Sequence, residues 1–195
     1  MAQERPIGGN SPGSVRLDPD DLLRAQVLLS SIPNGYRRAM VRSIDRTLIT
    51  ARKLATKRIR EEINLKATDV KAAIKVRKAR YATLEGELGV KGKHIPLVKY
   101  GARQVKRGVS IQVLKRNPRK ISTAIFMAQM KSGHFGVYWR KKDAAGQLVP
   151  RLPIKQRYGP SIPEVYSGRP IGQVMPETAE IFAKNFAHEV SYLLR

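Results

Sequence analysis

Between Gly35 and Ile63 the apolar residues Met40, Ile44, Leu48, Ala51, Ala55 and Ile59 recur at intervals of four, four, three, four and four. That spacing gathers them on one face of an α-helix, which at 1.5 Å per residue runs roughly 42 Å. A shorter helix is predicted ahead of it in LDPDDLLRAQVLLSS. Asp18 is its N-cap, Pro19 its first residue, and Asp20 and Asp21 lie at the positive end of its dipole. SIPNG interrupts the two. A third, short helix is expected in ATDVKAAIKV, with Thr68 as N-cap.

From Ala79 the period becomes two. RYATLEGELGV alternates Ala82, Leu84, Gly86 and Leu88 against Tyr81, Thr83, Glu85 and Glu87, and GVSIQVLK alternates Val109, Ile111 and Val113 against Ser110 and Gln112. After an Asn117-Pro118 turn, ISTAIFMAQM reads as one long strand buried on both faces. KSGH turns the chain into FGVYWRKK, where Phe135, Val137 and Trp139 share a face, and DAAGQ turns it into LVPRLPI. The chain closes with a helix expected from Pro176 to Leu194, packed through Thr178, Phe182, Phe186, Val190 and Leu193. Helices before and after a run of strands predict an α+β fold: an antiparallel β-meander of about four to six strands, packed by a long basic helix and a C-terminal helix. Residues 1–17, rich in Gly, Pro and Ser, read as an arm. Residues 18–195 read as one domain, helical over 18–76, sheet over 79–155, and Pro-rich over 150–172.

One segment fits neither period. RLPIKQRYGPSIPEVY, Arg151 to Tyr166, holds three prolines yet also Leu152, Ile154, Tyr158, Ile162 and Tyr166. A flexible linker lacks such side chains, so Tyr158 to Tyr166 is expected to dock against the sheet's edge or an adjacent subunit, the alternative being a loop folded wholly onto its own core. Tyr158, Pro160, Ile162 and Tyr166 are its interface candidates.

Charge changes the picture most. The 38 Lys and Arg against 15 Asp and Glu give +23, well beyond the roughly 2–8 charges that keep a small domain soluble. Such an excess draws polyanions, nucleic acid above all, or an acidic protein surface. The long helix could lay Arg38, Arg42, Arg46, Lys53, Lys57 and Arg60 along a phosphate backbone. No aromatic base-stacking motif accompanies them, so the expected contact is independent of sequence. The competing reading is a solvated amphipathic helix whose Lys and Arg stems shield the core. With no cysteine there is no disulfide, thiolate metal site or cysteine nucleophile. No apolar run suggests a signal peptide or a membrane span.

Catalytic patterns are lacking. His94, His134 and His188 are too scattered for a ligand set. Ser132 and His134 share a tight turn without an orienting acid, Glu85 and Glu87 read as a solvated strand face, and GVKGKH lacks Walker spacing. A helix-turn-helix reading of the early helices is opposed by poor turn chemistry. No enzyme, metal or cofactor is expected.

The order of these pieces resembles the minor tail protein Z family of tailed bacteriophages and prophages, also called tail completion proteins, from roughly Arg37 to Leu194. The most specific segments are IPLVKYGARQVKRGVS, MKSGHFGVYWRK and LPIKQRYGPSIP. The resemblance implies a structural protein of the virion, assembled in the host cytoplasm and acting at the head-proximal end of the tail, where DNA passes. It also implies a homo-oligomeric ring, a hexamer by family expectation, flanked by tail terminator or tail tube and head connector proteins. The reading from another class is a sequence-independent nucleic-acid-binding module of the ribosomal-protein or nucleoid type.

Overall fold

A computed structural model describes residues 19–90, 92–140, 154–166 and 170–195, with backbone alone at 165, 166 and 170–176. Five helices and eight strands follow in the order α1 (Pro19–Leu28), α2 (Gly35–Glu62), α3 (Ala67–Ala73), β1 (Ile74–Arg77), β2 (Glu87–Val90), a 3-10 turn at Leu97–Tyr100, β3 (Arg103–Val105), β4 (Gly108–Ile111), β5 (Lys120–Ser122), β6 (Ile125–Gln129), β7 (Phe135–Arg140), β8 (Ile154–Gln156), α4 (Ile162–Tyr166) and α5 (Pro170–Leu193). The mixed α+β class is as expected. The strands, however, form three small antiparallel sheets, β1-β2, β3-β4-β5 and β6-β7-β8, and not one meander of four to six. Two compact units result. One comprises Met1–Arg52, Val76–Leu88 and Arg169–Arg195; the other comprises Lys53–Lys75 and Gly89–Gly168.

The first unit is helical. Ala25 and Leu29 from α1 and its exit, Ala39 and Met40 from α2, and Phe182 and Phe186 from α5 form its core, with Ile44, Leu84, Val190 and Leu193 packed around them. The Phe182 and Phe186 rings stack 5.8 Å apart, and Tyr36 meets Phe186 edge-on, a geometry that suits the ring quadrupoles. The most buried row of α2 here is Ala39, Ser43, Thr47 and Ala51, at most 4% exposed. Ser43 and Thr47 donate their hydroxyls to the carbonyls four residues back, which lets small polar residues line a packed face. Thr47 Oγ1 also accepts from Asn185 Nδ2 of α5. The apolar stripe read from sequence shares Ala51 with this row and in this unit otherwise runs beside it, because hydroxyl residues do not register as core in a hydrophobic pattern.

Several boundaries depart from the sequence reading for local reasons. ATDVKAAIKV is helical only to Ala73, and its last residues begin β1. The N-cap of α3 is Lys66, without a side-chain bond, and not Thr68. RYATLEGELGV is strand only over its last residues. Leu84 adopts a left-handed φ of 54°, and a Cβ on Gly86 would come within 2.6 Å of Leu48 Cδ1, so the chain there lies flat against α2. ISTAIFMAQM splits into β5 and β6. Within β7, Val137 and Tyr138 are buried while Phe135 is 50% exposed. The C-terminal helix opens at Pro170, not Pro176. The Asp18 cap, the 1–17 arm and the DAAGQ turn lie outside the described residues.

The second unit builds its core from Val109, Ile125 and Val137, surrounded by Leu97, Val98, Ala102, Ile111, Met127 and Trp139. Tyr100, fully buried, ties its parts together. Its hydroxyl donates to the Pro160 carbonyl at 2.5 Å, and its carbonyl accepts from Asn64. A Cβ at Gly159 would come within 2.7 Å of its ring. Burial pushes the Tyr100 phenol from 10.0 up to about 12, and the Glu164 carboxylate acts in the same direction. The unfolded chain ionises near 10 and the folded one resists to about 12, so the native state binds the extra proton in that window. This contribution is fully present below pH 10 and is lost as pH rises toward 12. Tyr100→Phe is expected to cost about 1 kcal/mol at neutral pH through the lost hydrogen bond and to flatten the alkaline decline. Urea melts at pH 8 and 11.5 test this, and equal declines in both proteins would refute it.

Candidate nucleic-acid and assembly surfaces

The six basic candidates all lie on α2, but their surroundings differ. Glu189 of α5 is 1% exposed, and its Oε1 meets Arg46 Nη1 at 2.6 Å. Its Oε2 lies 3.6 Å from Arg42 Nη1, too long for a hydrogen bond, and is otherwise without a partner among the described residues. Burying a carboxylate costs several kcal/mol unless it is paired. Arg46, with Arg42 nearby, therefore neutralises Glu189 and ties α5 to α2. Arg38 is half-buried, whereas Lys53, Lys57 and Arg60 are exposed.

The Pro-rich segment docks on its own unit. Arg157 N–H donates to Val137, Leu97 N–H to Arg157, and Gly159 N–H to Ile95, so residues 157–159 extend β8 and are covered on their outer side by residues 95–97. Ile162 is 1% exposed and fills the interior. Pro160 is half-buried with its carbonyl on Tyr100. Tyr158 alone of the described candidates stays open, 51% exposed, with its hydroxyl on Gln156 Oε1. For Tyr166 only the backbone is described. The short helix α4 that follows is capped reciprocally, Ser161 N–H to Glu164 Oε2 at 2.8 Å and Glu164 N–H to Ser161 Oγ at 3.4 Å. This is the capping-box pattern S-x-x-E, present in the sequence as SIPE and sufficient to reveal α4.

The titratable groups His94, His134 and Glu87 are engaged separately. His94 meets Glu164 at 3.6 Å, His134 meets Gln156, and Glu87 pairs with Arg77. Among the described residues no group of three His, Asp or Glu could hold a metal, and no helix is long and apolar enough to cross a membrane.

Comparison with protein families finds that the description of prophage minor tail protein Z matches residues 23–195. The chain belongs to the prophage minor tail protein Z family. Comparison with curated proteins and with solved structures finds no match in either. Minor tail protein Z is a structural protein of the phage tail, so this chain is a virion component. The match begins within α1 and takes in every later element, further toward the N-terminus than the resemblance drawn from Arg37 onward.

In this minor tail protein Z chain, sequence reasoning overlooked Glu189, Tyr100 and Gly159. One signal was available for Glu189, an acid inserted between Phe186 and Val190 in an otherwise apolar stripe. Nothing local marks Tyr100 and Gly159, whose contact joins residues 59 positions apart.

Proposed function

We propose that the protein acts as a multimer at the head-proximal end of the tail, joining tail to head around the passing double-stranded DNA. Family membership supports the tail role. The observation that carries the DNA path is the charge of +23, which lowers repulsion beside a phosphate polymer without demanding sequence readout. Subunits closing into a ring, expected to be a hexamer, meet through two different patches. Tyr158, exposed on a segment whose backbone is held by residues 95–97, is a candidate for one of them. Its neighbours in the particle would be tail terminator or tail tube and head connector proteins.

Immunogold labelling of purified virions tests the location. Label at the head–tail junction is the expected result. Label elsewhere on the tail overturns it, and absence from virions with recovery on cellular nucleic acid favours a general binding module. Tyr158→Ala is expected to leave the folded chain within about 0.5 kcal/mol of the parent, as surface changes usually do, while lowering the yield of complete tails in a complementation assay. Normal tail yield would remove Tyr158 from the interface.

A further inference from the structure

The positive charge is unevenly placed. The unit comprising Lys53–Lys75 and Gly89–Gly168 holds 24 of the 38 basic residues and five of the 15 acidic ones. Between Glu87 and Asp143 there is no acid at all, against fourteen Lys and Arg. This interval contains the whole sheet β3-β4-β5 and the hairpin β6-β7.

The two loops of the first sheet are built to hold cations rigidly. In the β3–β4 turn, Val105 pairs with Gly108 across Lys106 and Arg107. Two-residue hairpin turns favour Asn-Gly or Asp-Gly, which accept positive φ. Here neither central residue does, and Gly108 takes the strain at φ 139°. Gln104 Nε2 donates to the carbonyls of both Val105 and Gly108. The β4–β5 loop is fixed in the same way, with Gln112 Nε2 donating to the carbonyls of Lys115 and Asn117 and Lys115 N–H donating to Glu62. Lys106, Arg107, Lys115 and Arg116 stand exposed on these fixed loops, with Arg103 and Lys120 exposed on the flanking strands. None of the six is in an ion pair among the described residues.

We infer that this acid-free sheet, and not the exposed Lys53, Lys57 and Arg60 of α2, is the surface that contacts double-stranded DNA, through Arg103, Lys106, Arg107, Lys115 and Arg116. Lys120, paired with Ile111 while Arg103 pairs with Ser110, leaves from the opposite face. The inference rests on the DNA-path reading above and assigns that contact to particular residues. The loops cap opposite ends of β4, roughly 15 Å apart at about 3.4 Å per residue. A duplex carries one charge per about 1.7 Å of axis, so that span faces about nine phosphate charges. Charge of a single sign over so long an interval matches a uniform polyanion. An interface with a protein uses charges of both signs to fix register and reject wrong partners.

The test compares two variants of the full chain binding a mixed-sequence 30-base-pair duplex, by fluorescence anisotropy across a salt series. One is Lys106→Gln/Arg107→Gln/Arg116→Gln; the other, removing the same charge, is Lys53→Gln/Lys57→Gln/Arg60→Gln. Each phosphate contact contributes about 0.9 to the slope of log K against log salt. The sheet variant should lose about 2.7 of slope, and roughly 500-fold in affinity near 0.1 M salt. The helix variant should keep the parental slope. Equal losses, a larger loss in the helix variant, or no salt-dependent binding by the parent overturns the inference. Displacement of the duplex by poly-glutamate at equal charge concentration also overturns it, in favour of an acidic protein partner. Immunogold labelling of particles carrying the sheet variant separates the two readings: label kept at the junction with DNA binding lost supports the assignment, and label at the junction in the parent with no effect of the sheet variant on binding sinks the assignment alone.

Discussion

Gly108→Ala is expected to unfold the β3-β4-β5 sheet at temperatures where the parent is intact. Gly108 sits at φ 139°, and a Cβ there would overlap the Ser122 carbonyl oxygen and lie 2.8 Å from its carbonyl carbon. Both obstacles are backbone atoms of the paired strand β5, so no side-chain rotation relieves them. Overpacking of this kind costs about 1–3 kcal/mol, and a positive φ on a residue with a Cβ adds about 1–2 kcal/mol. At about 2–4 °C per kcal/mol for a chain of this size, melting should fall by roughly 10 °C. Gly133→Ala is the control. Gly133 also has positive φ, 80°, but nothing lies within 4 Å of a Cβ there, so only the backbone cost of about 1 kcal/mol remains. Equal melting of the two variants would refute the close approach of β4 to Ser122.

The second large effect concerns the buried carboxylate. Arg46→Ala leaves Glu189, 1% exposed, facing only Arg42 at 3.6 Å. Removing one member of a buried pair costs about 3–5 kcal/mol. Because Arg46 is itself half exposed, at 52%, the pair is partly screened and a loss of about 2–3 kcal/mol is expected. Glu189→Gln should be milder, about 1 kcal/mol, since both arginines can then turn to water and no charge stays buried. The double variant Arg46→Ala/Glu189→Met should recover most of the loss, because an apolar side chain of similar volume no longer requires a partner. Urea denaturation of the three variants measures these differences. If Glu189→Gln costs as much as Arg46→Ala, the cost lies in lost packing or hydrogen bonding and not in the uncompensated charge.

These two sites differ in how far local pattern foretells them. The Lys106-Arg107-Gly108 turn stands in the sequence as a glycine after two cations, and GVSIQVLK reads as a strand that begins at that glycine, of which the first four residues form β4. The contact that makes Gly108 indispensable comes from Ser122, which only strand pairing supplies. Glu189 was visible only as an acid interrupting an apolar stripe. Its partners lie on another helix more than 140 positions earlier.

By itself the sequence determined the long helix to within a residue, the mixed α+β class, the family, and the interval without acids. Each is a property of neighbouring residues: helical period, alternation, motif order and local composition survive without knowledge of what touches what. Tertiary structure alone decided that the strands divide into three sheets, that Ser43 and Thr47 are core, and that Arg42 and Arg46 serve Glu189. It also decided that Ile162 turns inward while Tyr158 stays open. These outcomes depend on the long-range environment of each side chain, where a hydroxyl can bond its own helix and a cation can neutralise a buried acid. The same Lys or Arg can be solvated, paired or aimed at DNA, and the side chains packed against it decide which.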